Sequence, residues 1–330
     1  MGVALVAAVE PDAARAAETA DKYAIPVFSS VEDLLAADLK IDAASVAVPT
    51  VHHHAVASEL LDAGLDLLVE KPLAASLPEA DELLELAAKK ARILQPGHLE
   101  RFNPAVLAVQ SQLRRPMFFE AHRLSVFSPR ALDVDVVLDL MIHDLDIVLT
   151  FANSPVREVR AVGLPILSPK VDIANVRVEF ESGCVANFTA SRVSTERVRK
   201  LRFFQPRQYV SIDYARQDLL AIKLDASITP EIAAAIAGGN VDPALMAKLA
   251  AAGLASGPNP GLSFVKPPVT PGEPLRLEIE SFLDAVRTRR EPRVTALQGR
   301  NALALALEIQ ASMVTHAHRA GLEDFFASAS

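Results

Sequence analysis

A carboxylate and an imidazole stand four residues apart in an apolar segment of the second half of the chain. Asp139 and His143 lie in LDLMIHDLDIVLTF, residues 138–151, whose apolar residues recur at helical spacing. Positions i and i+4 share one face of a helix, so the carboxylate can orient the imidazole as a general base. The alternative is a helix face that is merely polar. We expect no metal site from His143, Asp144 and Asp146, because these two acids point to different faces.

A second group of polar residues follows the apolar runs of the first hundred residues. Glu10 ends one run, Pro49 and Thr50 end another, and Glu70 and Lys71 end a third. In an open parallel sheet, ligands bind at the carboxyl ends of the strands. We therefore expect these residues to lie at a ligand-binding edge. Taken alone, the tripeptide Glu-Lys-Pro is more typical of an exposed lysine before a loop.

The elements that must position these residues alternate between strand and helix. Short apolar runs bounded by Pro or Gly predict buried strands, and Ala-, Leu- and Glu-rich stretches predict helices. Such an alternation predicts right-handed crossovers and a parallel sheet. The predicted strands are 3–9, 43–48, 65–69 and 92–95, and the predicted helices 13–22, 53–63 and 77–90. Residues 1–97 are thus predicted to form a Rossmann-like domain.

The remaining residues, 98–330, have a different pattern. Apolar and polar residues alternate in several segments between residues 118 and 212, which predicts a largely antiparallel open sheet. An Ala-rich insertion at about 226–260 predicts one or two short helices, and helices follow within 275–317. The predicted fold class is α/β, a Rossmann-like parallel sheet followed by an α/β domain with an antiparallel sheet.

Further polar residues close to these segments each have two interpretations. Arg123 and Arg130 precede the helix of residue 143 and either contact an anionic substrate or are surface charges. Three adjacent histidines, His52, His53 and His54, cannot share one face of a helix, so a chelating cluster is not expected. One of them can face the ligand-binding edge while the other two are solvated.

Composition excludes several classes of function. The chain of 330 residues has a net charge of −8 and no clustered basic face, which argues against nucleic acid as a partner. Its single cysteine, Cys184, cannot form an internal disulfide or a thiolate zinc site. No apolar run approaches the length of a membrane span, and the N-terminus has no signal-peptide pattern. We expect a cytoplasmic protein without a membrane partner.

Five motifs in order resemble those of the Gfo/Idh/MocA oxidoreductases. They are VEPD, VAVPTVHHH, VEKPL, GHLERFNPAV and DLMIHDLD, and the likeness extends from residue 3 to about 313. The resemblance implies a Rossmann domain and a second α/β domain whose open sheet often makes oligomer contacts. It also implies hydride transfer between NAD and a sugar, cyclitol or sugar-nucleotide hydroxyl, with NADP the less expected cofactor. The motifs containing His98 and His143 look most like those of members that act on nucleotide sugars such as UDP-N-acetylglucosamine.

The same resemblance assigns roles to individual residues. Lys71 matches the lysine that contacts the nicotinamide side and the reacting hydroxyl, His143 the catalytic histidine, and Asp139 the acid that completes the set. Glu10 takes the ribose-binding place, where a carboxylate favours NAD over NADP. Residues implied to line the cofactor are Pro49, Thr50, His53, Glu70 and Pro72.

One part of the family's pattern is missing from the sequence. A dinucleotide-binding fold carries a G-x-G-x-x-G turn after its first strand, and none of the 13 glycines forms one. The sequence begins at what corresponds to the second strand, which predicts a mis-assigned start codon or a truncated gene. The alternatives to a nucleotide-sugar dehydrogenase are an inositol or simple sugar dehydrogenase and a truncated member without catalytic activity.

Overall fold

The protein forms two compact units in a computed structural model. The structure describes residues 2–128, 134–225, 242–251 and 262–322, with isolated positions at 228, 232, 234 and 238. The first unit contains residues 1–102 and 273–307, and the second contains residues 103–272 and 308–330. No helix among the described residues has the length and apolar character needed to cross a bilayer.

The strands of the first unit pair in parallel, as the alternating sequence pattern predicts. They form two separate sheets in the described residues, one of β1 and β2 and one in the order β3-β4-β5. The run at residues 3–9 was predicted as a full strand, but only its last two residues pair, because β1 has β2 as its single partner. The strands are β1 (Ala8–Val9), β2 (Val27–Phe28), β3 (Ala43–Val46), β4 (Asp66–Glu70) and β5 (Leu94–Gly97).

The helices of this unit begin where the sequence provides caps. Ser30 and Ser76 each accept a hydrogen bond from the backbone three residues on, and Glu79 completes a capping box with Ser76. Gly64 follows the third helix in a left-handed conformation, φ +86°. The helices are α1 (Ala13–Tyr23), α2 (Val31–Ala36), α3 (His53–Asp62) and α4 (Leu77–Lys90).

The division of the chain differs from the predicted boundary at residue 97. Helix α8 (Pro274–Thr288) and the start of α9 (Ala296–Ala320) belong to the first unit, whereas both were predicted to lie in the second. The physical reason is a set of long-range contacts. Arg289 donates to the Asp66 carboxylate at 2.5 Å, and Arg300 donates to Asp81 at 2.9 and 3.1 Å. Sequence proximity alone does not reveal such contacts.

The second unit is built on one sheet of eight described strands. Its order is β13-β12-β11-β10-β6-β9-β8-β7, and every pair in it is antiparallel except β6 with β9. The predicted combination of a parallel sheet and a largely antiparallel sheet is therefore confirmed. The strands are β6 (Phe118–Leu124), β7 (Val156–Leu164), β8 (Ile173–Phe180), β9 (Val185–Ser191), β10 (Val198–Gln205), β11 (Gln208–Asp213), β12 (Asp218–Leu224) and β13 (Leu262–Val265).

The second unit contains helices α5 (Pro104–Val109), α6 (Ile142–Ala152) and α7 (Pro243–Ala251). Helix α5 packs against β11 and β12, and Phe151 of α6 packs edge-on against Phe203, so the strand residues on this face form the core. Phe119, Phe188 and Phe203 are almost fully buried there, and Cys184 is buried as well. Most of the predicted insertion at 226–260 lies outside the described residues, and α7 is the helix described within it.

Candidate functional site

The Glu-Lys-Pro motif lies at the carboxyl end of β4, as the sequence predicts. Glu70 is in register with Gly97 at the end of β5. A Cβ added at Gly97 would lie 3.1 Å from both the Glu70 Cα and its Oε2, so glycine lets the two strand ends approach closely. Lys71 is half-buried, Pro72 is buried, and the peptide bond between them is cis.

His53 joins the two loops that leave β3 and β4. Its Nδ1 lies 2.8 Å from the Pro72 carbonyl oxygen and its Nε2 lies 2.9 Å from the Val48 carbonyl oxygen. A neutral imidazole can donate to one of these oxygens and an imidazolium to both. The residue is 1% exposed. His53 thus fixes the loops from within, and both its ring nitrogens are engaged by backbone.

Pro49 and Thr50, which follow β3, begin the helical segment that leads into α3. Pro49 precedes a short 3₁₀ helix, Thr50–His52, and its carbonyl accepts from the His52 amide at 2.9 Å. Thr50 is half-buried. The neighbouring His54 contacts Glu82 at 2.9 Å and His52 is exposed, so the three adjacent histidines do not share one site.

Glu10 follows β1 and reaches the beginning of α1. Its Oε1 accepts from the Asp12 amide at 2.9 Å and lies 3.8 Å from the Arg15 guanidinium. Asp12 caps α1 by accepting from the Arg15 amide, and this hydrogen bond lowers the pKa of the Asp12 carboxyl. A carboxylate with one oxygen held in this way keeps its other oxygen available to a ligand hydroxyl.

In the second unit, Asp139 and His143 lie on a helix that begins irregularly. A π-helical turn, Val137–Met141, contains Asp139, and α6 follows with His143 in its first turn. Asp135 caps the segment, since its Oδ1 accepts from the amides of residues 137 and 138. The predicted helix is therefore present, but its first turn is wider than an α-turn. His143 is 9% exposed.

Arg123 is buried and does not face an open surface, and its interpretation as a substrate-binding residue stays a prediction. Its Nε and Nη2 donate to the two carboxylate oxygens of Asp144 at 2.7 and 3.0 Å, and both side chains are 3% exposed. A guanidinium in a buried bidentate pair has its charge already compensated by the carboxylate. Arg130 lies outside the described residues.

Sequence reasoning missed several buried charged groups. Arg192 pairs with Asp172 at 2.7 Å, and Asp172 also accepts from the amides of residues 166, 167 and 168. In the first unit, Arg101 of the GHLERFN motif donates to Gln298 at 3.0 Å. No local spacing marks such pairs, because the partners are 20 to 197 residues apart. Within the described ranges no three His, Cys, Asp or Glu side chains are grouped so as to hold a metal ion.

The chain belongs to the Gfo/Idh/MocA oxidoreductase family. The model of the oxidoreductase family with an NAD-binding Rossmann fold matches residues 2–98, and that of the GFO/IDH/MocA C-terminal domain matches residues 105–207. It is an NAD(P)-dependent oxidoreductase, and NAD is the cofactor that the family description names.

Two relatives indicate the range of the family near this chain. UDP-N-acetylglucosamine 3-dehydrogenase from Acidithiobacillus ferrooxidans is 34% identical over 310 residues, which are 94% of this chain and 90% of the relative. A solved structure of that enzyme has a TM-score of 0.78 at 33% identity and covers 92% of this chain and 88% of its own. Inositol 2-dehydrogenase from Corynebacterium glutamicum is 30% identical over 186 residues, 51% of each chain.

The residues of the first unit fit the two ends of a nicotinamide dinucleotide. The Glu10 carboxylate suits ribose hydroxyls, and the Lys71 ammonium suits a polar group at the nicotinamide end. The glycine-rich turn that would donate amides to the pyrophosphate is not in the sequence. The described chain thus supplies groups for the two ends of the cofactor.

Proposed function

We propose that the protein oxidises a secondary hydroxyl of a nucleotide sugar, with UDP-N-acetylglucosamine as the first candidate. The observation that carries this proposal is the 34% identity to UDP-N-acetylglucosamine 3-dehydrogenase over 94% of the chain. A second observation, the 30% identity to an inositol dehydrogenase over about half the chain, supports a cyclitol or simple sugar as the other candidate.

The proposed reaction divides the two hydrogens of the carbinol between the cofactor and the protein. NAD supplies a nicotinamide ring that accepts the hydride. His143 takes the hydroxyl proton, and Asp139, in the preceding turn, orients the imidazole. Lys71 donates a hydrogen bond to the hydroxyl oxygen and stabilises the negative charge that develops there.

The proposed cofactor contacts come from the strand ends of the first unit. Glu10 accepts from the ribose hydroxyls, Pro49 and Thr50 line the cofactor, and Glu70, Lys71 and Pro72 contact its nicotinamide half. The contacts of His53 support a positioning role for this residue: its imidazole holds the loops at Val48 and Pro72.

The preference for NAD over NADP is expected to depend on Glu10. Its carboxylate would repel the 2′-phosphate of NADP, so Glu10→Ser should raise the kcat/KM ratio of NADP to NAD by about tenfold or more. Glu18→Ser, an exposed change on α1, is the control and should leave the ratio unchanged. An unchanged ratio in Glu10→Ser would remove Glu10 from the ribose site.

Substrate choice is tested by following NADH formation with a panel of hydroxyl compounds. The panel contains UDP-N-acetylglucosamine, free N-acetylglucosamine, glucose and myo-inositol, each at several concentrations with NAD. The proposal expects the highest kcat/KM with the UDP-sugar. A higher value with myo-inositol would replace it by the second candidate.

The alternative of a member without catalytic activity is tested by NADH binding. Fluorescence titration compares the chain of 330 residues with the same chain extended at its N-terminus by a strand and a G-x-G-x-x-G turn. Binding by either form supports the oxidoreductase proposal. Absence of binding by both folded forms would favour a member without catalytic activity.

We also propose that the protein is a homo-oligomer and acts in the cytoplasm, where NAD and nucleotide sugars are found. The face of the large sheet away from its helices carries an aromatic cluster. The Phe204 ring lies 5.5 Å from that of Phe118 and 5.1 Å from that of Tyr209, and Phe204 is 38% exposed. Such exposed apolar clusters mark interaction surfaces.

Charge introduced into this cluster should weaken self-association. Phe204→Glu is expected to lower the mass measured by light scattering, because a carboxylate would be buried at the contact. Val314→Glu, at an exposed position of α9, is the control. A wild-type protein that is monomeric at all concentrations would contradict the proposal.

A further inference from the structure

The segment that carries Asp139 and His143 contains a wide helical turn. π-Turns are rare because their geometry is less favourable than that of an α-helix, and they are frequent at functional sites. The turn Val137–Met141 leads directly into α6. Contacts on both sides of the turn must therefore hold it in place.

Before the turn, the chain is held by Arg192. Its Nη1 donates to the Val134 carbonyl at 2.9 Å, while its Nε donates to Asp172. Arg192 and Asp172 are 4% and 0% exposed. The Val136 amide donates to the Val171 carbonyl at 3.0 Å, next to Asp172. The entry to the turn is thus tied to the beginning of β8.

After the turn, the chain is held by Arg123. It binds both carboxylate oxygens of Asp144, the residue that follows His143. The Tyr214 ring lies 5.1 Å from the Arg123 guanidinium and covers it from one side. A bidentate pair fixes direction as well as distance, so it limits rotation of this part of α6.

The two arginines lie at the carboxyl ends of two neighbouring strands, β6 and β9. Arg123 lies in β6 opposite Ala190 of β9, and Arg192 follows directly after β9. Because β6 and β9 are parallel, their carboxyl ends meet at one edge. Two neighbouring strand ends therefore present one guanidinium to each side of the wide turn.

We propose that Arg123 and Arg192 are positioning residues that hold the two ends of segment 134–144 and so orient Asp139 and His143. The inference rests on the proposed function, in which these two groups handle the proton. Buried ion pairs of this kind add little net stability over apolar residues of similar volume. Their contribution here is orientation, which lysine would not reproduce because its ammonium cannot form the bidentate fork.

The test compares variants that keep the charge or the volume but lose the fork. Arg123→Lys keeps the charge, and Arg123→Met with Asp144→Leu replaces the pair by apolar side chains. Both are expected to lower kcat by about 100-fold with KM changed by less than about threefold. The double variant should keep the wild-type melting temperature. Arg160→Met, which breaks the exposed pair with Glu158, is the matched control and should leave kcat unchanged.

The outcome separates positioning from stability. A folded double variant with low kcat supports the proposal, and a kcat within about twofold of wild type in both variants would overturn it. If Arg123→Lys also lowers the melting temperature, the kcat of the double variant decides between positioning and stability. Arg192→Lys is likewise expected to lower kcat by about 100-fold and to change KM by less than about threefold.

A second readout covers the case in which the wild type turns over none of the sugars, which would refute the proposed function. The rate of His143 modification by diethyl pyrocarbonate is then measured by peptide mass spectrometry. Release of the segment should raise this rate several-fold in the double variant and not in Arg160→Met. Equal rates in the wild type and the double variant would overturn the positioning role.

Discussion

Replacement of His143 by alanine is expected to lower kcat by about 1,000-fold and to leave the Kd for NADH within about twofold of the wild-type value. The proposal gives the imidazole the hydroxyl proton, and loss of a general base removes that path while water replaces it poorly. Cofactor binding should persist because none of the proposed cofactor contacts is made by His143.

The matched control for this variant is His318→Ala, an exposed position near the end of α9. Its kcat should equal that of the wild type. If His143→Ala keeps a rate near that of the wild type, the assignment of the base is wrong. If it loses NADH binding as well, the residue contributes to cofactor binding and the division of roles must change.

Replacement of Asp172 by alanine is expected to give the largest loss of stability, about 3–5 kcal/mol in the free energy of unfolding. The change leaves the Arg192 guanidinium buried without its carboxylate. It also removes the acceptor for the amides of residues 166, 167 and 168. Urea unfolding, monitored by circular dichroism, measures the difference. Glu158→Ala, in an exposed ion pair of the same unit, should show little change.

The contribution of Asp172 has a defined pH dependence. Burial raises the pKa of this carboxyl, but hydrogen bonds from Ser168, Arg192 and the loop amides outweigh burial and hold the pKa well below its ordinary value of 3.8. A depressed pKa stabilises the fold above the unfolded value, and this stabilisation is lost as the pH falls through the folded value. The wild type should therefore lose more stability than Asp172→Ala below pH 3.8. If the free energies of unfolding of the wild type and of Asp172→Ala fall in parallel with pH, the Asp172 carboxylate is not responsible for the loss of stability.

Much of the first unit follows from local sequence signals. Caps such as Ser76 with Glu79, and apolar runs such as residues 65–69, determine where helices and strands begin. Parallel pairing follows from their alternation. The same alternation predicts polar residues at the carboxyl ends of the strands, and Glu70 and Lys71 do lie at the end of β4. That this edge binds a ligand stays a prediction.

The features that sequence reasoning missed depend on contacts between distant residues. From the sequence alone, Arg123 is interpreted as a charge available to a ligand. Its partner in the structure, Asp144, lies 21 positions away in the sequence. The grouping of α8 with the first unit depends on contacts such as that of Arg289 with Asp66, which are 223 positions apart. The π-turn at 137–141 has no marker in the apolar spacing, since one extra residue in a turn leaves the pattern nearly helical.

Hydride transfer from a sugar carbon to NAD is the central claim, and isotope transfer measures it most directly. The purified protein is incubated with NAD and UDP-N-acetylglucosamine that carries deuterium at C3, and the reduced cofactor is analysed by mass spectrometry. We expect one deuterium in each reduced cofactor molecule, and no reduced cofactor from His143→Ala above background. Reduced cofactor without deuterium, or none from a folded wild-type protein that binds NADH, would contradict the proposed reaction.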